Sequence, residues 1–232
     1  MPSKVYLIPI PIAEDGFHTL PANIGDTINS CEVFFAEDLR TARRAFRKID
    51  KAFDIDNREW HETGTAEEKT ADAFKKAVAE GKQIGIVSES GCPGIADPGQ
   101  KLVAIAHSLG VAVKPITGPS SLLLALMGSG MNGQHFSFNG YLPIDARERE
   151  KKIRELEKKA LQEGATQLFI ETPYRNQSIY EALIKTLAPQ TRLCIAYHLS
   201  ASNEWIKTKS VGDWKKENIT LPKDPAVFLI GN

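Results

Sequence analysis

Cysteine is scarce in this chain. Cys31, Cys92 and Cys194 stand far apart with no CxxC among them, which argues against zinc and for reduced thiols in a cytosol. Neither charge sign is in surplus, since Lys plus Arg and Asp plus Glu both total 29. No bulk field therefore draws the chain to nucleic acid or to a membrane, and a polyanion would have to be held by local clustering. No apolar run approaches membrane-spanning length, and the first residues lack a charged stretch followed by a signal-length apolar core. No Gly-x-Gly-x-x-Gly follows the first strand, which argues against a nicotinamide or flavin dinucleotide, and no Walker-type Gly-Lys-Ser/Thr is present for a nucleoside triphosphate. His18, His61, His107 and His135 show no metal-ligand spacing. Repeats and low-complexity segments are missing too. What remains is ordinary globular composition: 232 residues, 42% apolar and 25% charged, enough for one large domain or two small ones with a proper core.

The most informative stretch runs from residue 84 to 121. Ile84 to Val87 is a short apolar run that fits one buried strand. It breaks into Ser88-Glu89-Ser90-Gly91-Cys92-Pro93-Gly94-Ile95-Ala96-Asp97-Pro98-Gly99, where Asp97 and Pro98 read as the N-cap and first residue of a helix. Leu102, Val103, Ile105, Ala106 and Leu109 then recur at helical spacing, and Gly110 closes the helix. Val111 to Val113 reads as a second buried strand ending in Thr117-Gly118-Pro119-Ser120-Ser121, which opens another apolar helix. Two consecutive strands thus deliver glycine-rich loops to one edge of a parallel sheet, where such folds bind ligands. Small residues let backbone donors approach closely, and helix N-termini favour a negative group such as a carboxylate.

Around this centre the chain reads as α/β. Lys4 to Ile8 is a strand whose pairing should stop at Pro9 and Pro11. Val33 to Ala36 is a buried strand delivering Glu37 and Asp38, which read equally as helix-capping acids or as functional carboxylates. In the following helix Arg40, Arg43, Arg44 and Arg47 share one face, with Leu39, Ala42, Phe46 and Ile49 opposite. That stripe is either a solvated face or a phosphate-binding strip suited to RNA. A third strand is expected over 55–60, a polar loop at His61 to Gly64, and a helix from about Thr65 to Glu80. The strand–helix alternation up to residue 117 implies an open, mainly parallel sheet with helices on both faces. Beyond it, a charged helix over 145–163 and strands at 136–141, 167–170, 193–196, 204–211 and 226–230 imply a mixed α/β sheet. The expected domains are 1–117 and 118–232, with a cleft between them.

Several of these motifs together resemble a known family. Ser-x-x-Gly-x-Pro-x-Ile-x-Asp-Pro-Gly followed by Gly118-Pro119-Ser120 resembles the tetrapyrrole (corrin/porphyrin) methylases. Ile8-Pro9-Ile10-Pro11-Ile12, Ala36-Glu37-Asp38-Leu39-Arg40 and Glu171-Thr172-Pro173-Tyr174-Arg175 extend that resemblance over nearly the whole chain. Within the superfamily it is most similar to the small-subunit ribosomal RNA cytidine 2′-O-methyltransferases. The resemblance implies a two-domain fold and S-adenosylmethionine bound between the domains by residues matching Ile12, Cys92, Pro93, Ile95, Ser120, Ser121, Ile170, Ala196 and Pro225. It also implies a cytoplasmic homodimer acting on RNA. By residue type and place, Glu37, Asp38 and Glu171 are candidates for the base and Arg40 or Arg175 for ligands of phosphate or oxygen. Glu171 with Arg175 reads equally as a structural ion pair. Cys92 stands where relatives commonly carry threonine. Tyr197-His198-Leu199-Ser200-Ala201, then Glu204, stands where RNA-modifying relatives typically show Arg-Glu-Leu-Thr-Lys and a later glutamate. This departure leaves the acceptor open. A tetrapyrrole methyltransferase and a catalytically idle RNA- or nucleotide-binding protein are the alternatives.

Overall fold

The computed structural model describes residues 2–64, 67–97, 99–217 and 219–232. It divides into two compact units, Met1–Ser120 and Ser121–Asn232.

The first unit is a five-stranded parallel sheet in the order β3-β2-β4-β1-β5. Its strands are β1 (Lys4–Ile8), β2 (Val33–Ala36), β3 (Glu59–Glu62), β4 (Gln83–Val87) and β5 (Ala112–Pro115). Helices α1 (Ile24–Ser30), α2 (Leu39–Ile49), α3 (Glu67–Ala79) and α4 (Gln100–Ser108) connect them. The three inner strands are the apolar runs, because a parallel strand covered on both faces has no polar side. One face packs Ile8, Phe34, Phe46 and Phe53 into a core, and the other packs Val5, Phe35, Phe74 and Ile86.

Three expectations change here. Val111 to Val113 was expected as a buried strand, yet β5 pairs only with β1 and leaves Ala112, Lys114 and Pro115 exposed. The third strand falls on Glu59–Glu62 rather than 55–60, so part of the expected polar loop is strand. As an edge strand it needs no apolar run, and it is held by Trp60 stacked on Phe34 at 4.7 Å and His61 stacked on Phe35 at 4.9 Å. The helix after the central loop starts at Gln100 with Gly99 as its N-cap. Asp97 sits earlier, its Oδ1 accepting from the Gly99 N–H at 2.9 Å in a local turn, while Pro98 lies outside the described residues, as does Thr65.

The second unit begins with α5 (Ser121–Ser129) and carries a mixed sheet in the order β6-β7-β10-β8-β9. Its strands are β6 (Phe136–Tyr141), β7 (Thr166–Glu171), β8 (Arg192–Tyr197), β9 (Trp205–Ser210) and β10 (Ala226–Gly231), joined by α6 (Ala146–Glu163), α7 (Asn176–Thr186) and α8 (Val211–Trp214). The narrow seam Ile153, Leu156 and Ala160 of α6 packs with Phe169, Ile179, Trp214 and Phe228 on one face. Against the other face lies α5, with Gly128 close to the Ile206 side chain.

Candidate active site

At the carboxyl ends of β1, β4 and β5 three loops of the first unit meet. Ile10 and Gly91 exchange two backbone hydrogen bonds of 3.1 Å, fastening the proline loop to the loop after β4. The Cys92 thiol donates to the Pro119 carbonyl at 3.3 Å, fastening that loop to the Gly118-Pro119-Ser120 turn. Packing explains the two glycines. Gly91 has φ +73°, and a Cβ there would stand 3.0 Å from Ile12 Cγ2 and 3.1 Å from Pro119 O; a Cβ on Gly118 would overlap the Pro9 ring. The junction therefore brings Ile12, Cys92 and the 118–120 turn together. Pro93 is buried in the same loop and Ile95 is 48% exposed. Burial pushes the Cys92 thiol up from its ordinary value, so it stays neutral and serves as a small lining group.

Glu37 and Asp38 part company at the end of β2. Asp38 caps α2, its Oδ1 accepting from the Thr41 N–H at 2.5 Å, and that bonding holds its carboxyl below the ordinary range. Glu37 turns to the central loop, where its Oε2 accepts from the Glu89 N–H at 3.0 Å. Asp97 lies beside Glu37. Burial foremost, with that neighbouring carboxyl, pushes it up to about 6. The loop thus carries a pair of close carboxyls that sequence spacing gave no sign of, since the two residues are sixty positions apart.

Along α2, Arg40, Arg44, Arg47 and Lys48 are exposed, and among the described residues none of them makes an ion pair within 4 Å. Arg43 is different: it is half-buried with its guanidinium 5.0 Å from the Trp60 ring centroid. A cavity of about 210 Å³ opens between the proline loop and α2, its lining including Ile12, Thr41, Arg44, Lys48, Glu89 and Ser90.

In the second unit Ile170 and Ala196 flank Val227 in one cross-strand row of β7, β10 and β8. Directly opposed residues share a face, and this is the face that α5, headed by Ser121, covers. Pro225 is exposed just before β10. Glu171 belongs to the next row and points to the opposite face, with Ala226 and Tyr197. Its side chain is fully buried, with Oε1 accepting from the Thr172 N–H at 2.8 Å and Oε2 lying 3.2 Å from Arg175 Nη2. Arg175 also donates to the carbonyls of Leu142 and Pro143 at 3.2 Å. The substituted segment 197–204 takes in the last residue of β8 and the connection to β9. In it the retained Glu204 accepts from the Ser200 N–H at 2.8 Å, and His198 Nε2 lies 3.4 Å from Asp224 Oδ2. No group of three or more His, Cys, Asp or Glu side chains placed to hold a metal occurs among the described residues.

Comparison with known proteins agrees with this architecture. The family model of the tetrapyrrole (corrin/porphyrin) methylases matches residues 4–214. The chain belongs to that family and is a methyltransferase. The ribosomal RNA small subunit methyltransferase I of Vibrio cholerae is 28% identical over 229 residues, covering 97% of this chain and 76% of that protein. That of Escherichia coli O157:H7 is 28% identical over 233 residues, covering 98% and 77%. That of Micromonospora olivasterospora is 33% identical over 174 residues, 74% of this chain and 51% of that protein. Among solved structures, the methyltransferase CobJ has a TM-score of 0.63 at 16% identity, covering all of this chain and 94% of that one. A Thermus thermophilus uroporphyrin-III C-methyltransferase complexed with S-adenosyl homocysteine has a TM-score of 0.56 at 15% identity, covering 99% and 97%. At these identities the structures speak for the fold alone.

Proposed function

We propose that this methyltransferase takes its methyl group from S-adenosylmethionine and gives it to a ribose 2′-hydroxyl of small-subunit ribosomal RNA. The observation that carries the reading is the three-loop junction at the carboxyl edge of a parallel sheet, in a chain aligned over almost its full length with ribosomal RNA methyltransferases. In our assignment Ile12, Cys92, Pro93, Ile95 and Ser120 of the first unit are donor-binding residues. A neutral, short-side-chain lining suits a sulfonium that needs no covalent help.

The chemistry asks mainly for alignment. The oxygen–methyl bond forms as the sulfur–methyl bond breaks, leaving S-adenosylhomocysteine as a neutral thioether. Holding donor and hydroxyl in line can supply roughly 7–11 kcal/mol of the barrier reduction. A base that takes the hydroxyl proton adds a further factor of about 10²–10⁴. Glu37 is assigned that role, because Asp38 is committed to capping α2 and Glu171 to its buried pairing with Arg175. Arg40 and the exposed cations of α2 are assigned to the RNA backbone. Their lack of carboxylate partners among the described residues supports that use over a solvated ion-pair face.

The partner in the cell is RNA, the compartment the cytosol, and the assembly a homodimer. No described helix is long and apolar enough to cross a membrane. The test is nucleoside mass spectrometry of small-subunit ribosomal RNA from a deletion strain. One ribose-methylated nucleotide should disappear and return on complementation. Unchanged rRNA, with methyl transfer to a tetrapyrrole by the purified protein, would overturn the assignment of the acceptor.

A further inference from the structure

The solvent face of α6 carries charge of one sign. Arg147, Lys151, Arg154 and Lys158 recur at i, i+4, i+7 and i+11, and at 3.6 residues per turn they fall within about 60° of one another. All four are exposed, and the stripe lies opposite the buried seam of Ile153, Leu156 and Ala160. It forms a ridge about 16 Å long.

The acids of the same helix are already engaged. Glu155 Oε1 lies 3.2 Å from Lys152 Nζ and 3.0 Å from Lys159 Nζ, and Glu150 Oε1 lies 2.7 Å from Arg154 Nη2. Glu157 accepts from the Ala188 N–H and the Thr191 hydroxyl. Glu148 and Glu163 stand at the two ends of the helix and off the stripe. An exposed helix commonly laces its cations to acids three or four residues away. Here Glu150 is taken from Arg147, and Glu155 from both Lys151 and Lys158. Those three cations make no ion pair within 4 Å among the described residues.

The amino end of the ridge adjoins an open aromatic corner. Tyr141, Ile144 and Tyr174 are 59%, 81% and 86% exposed. Tyr174 belongs to the short turn Pro173–Arg175, and Arg175 stitches that turn to the Leu142 and Pro143 carbonyls, just before α6. Arg149 Nη1 donates to the Ile144 carbonyl at 3.0 Å, tying the first turns of α6 to the same segment. A ring this open on a backbone this well fastened offers a face for stacking. Cations in line along a backbone, with an aromatic platform for a base of any identity, are what holds a single strand of nucleic acid. A membrane would call for apolar residues beside the cations, and the apolar seam of α6 is turned into the core.

We propose that α6 with its aromatic corner is an RNA-binding surface of the second unit, additional to the cations of α2. Arg147, Lys151 and Lys158 follow the phosphates of a single-stranded segment, and Tyr174 stacks on one of its bases without regard to sequence. The inference rests on the RNA reading above and deepens it.

The test is fluorescence anisotropy of the full chain with a single-stranded uridine dodecamer, from about 50 to about 200 mM salt. Arg147→Gln with Lys151→Gln and Lys158→Gln, a change that suits a helix, should weaken binding at the lowest salt at least about tenfold. It should also lower the slope of log affinity against log salt by about 2. Lys69→Gln with Lys75→Gln and Lys76→Gln takes the same charge from the exposed face of α3 and should leave the slope within about 0.5. Tyr174→Ala should weaken binding at least about fivefold at every salt concentration without changing the slope, and Tyr174→Phe should restore it. A slope unmoved by the ridge variant, an equal fall in the α3 variant, or full affinity in Tyr174→Ala would overturn the proposal and leave the RNA reading standing. Intact RNA affinity in the ridge variant, with loss of binding to phosphatidylglycerol vesicles or of self-association, would give the surface to a membrane or a second copy and overturn it likewise. An unaltered protein that binds no RNA would overturn the RNA reading itself and this proposal with it, so the two failures are distinguishable.

Discussion

The Cys92 thiol donates to the Pro119 carbonyl across 3.3 Å, joining two loops that leave different strands of the first sheet. β4 and β5 are not neighbours, since β1 lies between them and pairs with both in parallel. The loops meet because all three strands end on the same edge and the proline loop of β1 bridges them through Ile10 and Gly91. The contact between two short residues is therefore the keystone of the three-loop junction.

Crowding at that junction should be costly and isosteric change cheap. Gly118→Ala drives a methyl into the Pro9 ring, and overpacking of this kind costs about 1–3 kcal/mol. Calorimetric titration of Gly118→Ala with S-adenosylhomocysteine should show at least about a tenfold loss of affinity, equivalent to ~1.4 kcal/mol. Cys92→Thr, which keeps the volume and a hydrogen-bond donor, should stay within about threefold of the unaltered protein. The reverse order would mean that the loops are not held as described.

Asp97 gives the fold a pH signature. Its folded value of about 6 lies above the ordinary 3.8. Between those values the folded chain holds the proton more tightly than the unfolded one. Stability from this group is therefore fullest below pH ~4 and is lost as pH rises through 6. Asp97→Asn removes the penalty while its amide oxygen can still accept from the Gly99 N–H. Because the residue is only half-buried, solvent screens the effect, and a gain of roughly 2–4 °C in Tm at pH 8 is expected. The gain should shrink towards zero at pH 4. A gain equal at both pH values would show that the carboxyl is not raised.

The arginines of α2 should divide by role. Arg44→Glu with Lys48→Glu removes two exposed cations beside the cavity and should weaken RNA binding, lowering the slope of log affinity against log salt by about 2. Arg43→Ala removes a guanidinium packed over Trp60 and should cost about 0.5–1 kcal/mol of stability with little effect on that slope. A salt slope unmoved by the double reversal would remove α2 from the RNA surface.

Trp214 anchors the second unit. It is fully buried, its Nε1–H donates to the Leu193 carbonyl at 2.9 Å, and its own carbonyl accepts from Tyr180 at 3.1 Å. Trp214→Ala should cost about 3–5 kcal/mol in urea unfolding. Trp214→Phe leaves the Leu193 carbonyl short of a partner and should cost about 1–3 kcal/mol.

Much of this architecture is legible in the sequence because its inner strands are continuous apolar runs. Val33 to Ala36 and Ile84 to Val87 are buried on both faces and read as such. The bounds of β3 and the exposure of β5, the edge strands of the first sheet, are not, for a physical reason. β3 gets its place from Trp60 and His61 stacking on β2, and β5 from pairing with β1 alone, and neither relation leaves a periodic mark. The capping site moved from Asp97 to Gly99 because the Asp97 carboxylate closes its own turn first. The loops at the candidate donor site were visible as glycine- and proline-rich punctuation. A cavity of the second unit was not, since it gathers Tyr197, His198 and Trp205 with a segment around Leu221 that lies far along the chain. What the sequence did show there was the substitution of three charged positions.

The most direct test of the account is a calorimetric titration of the purified chain with S-adenosylhomocysteine, followed by a crystal structure of the complex. One saturable site per chain is expected, with the thioether against the loops of Ile12, Cys92 and Ser120. Absence of binding, or the molecule seated away from those loops, would contradict it.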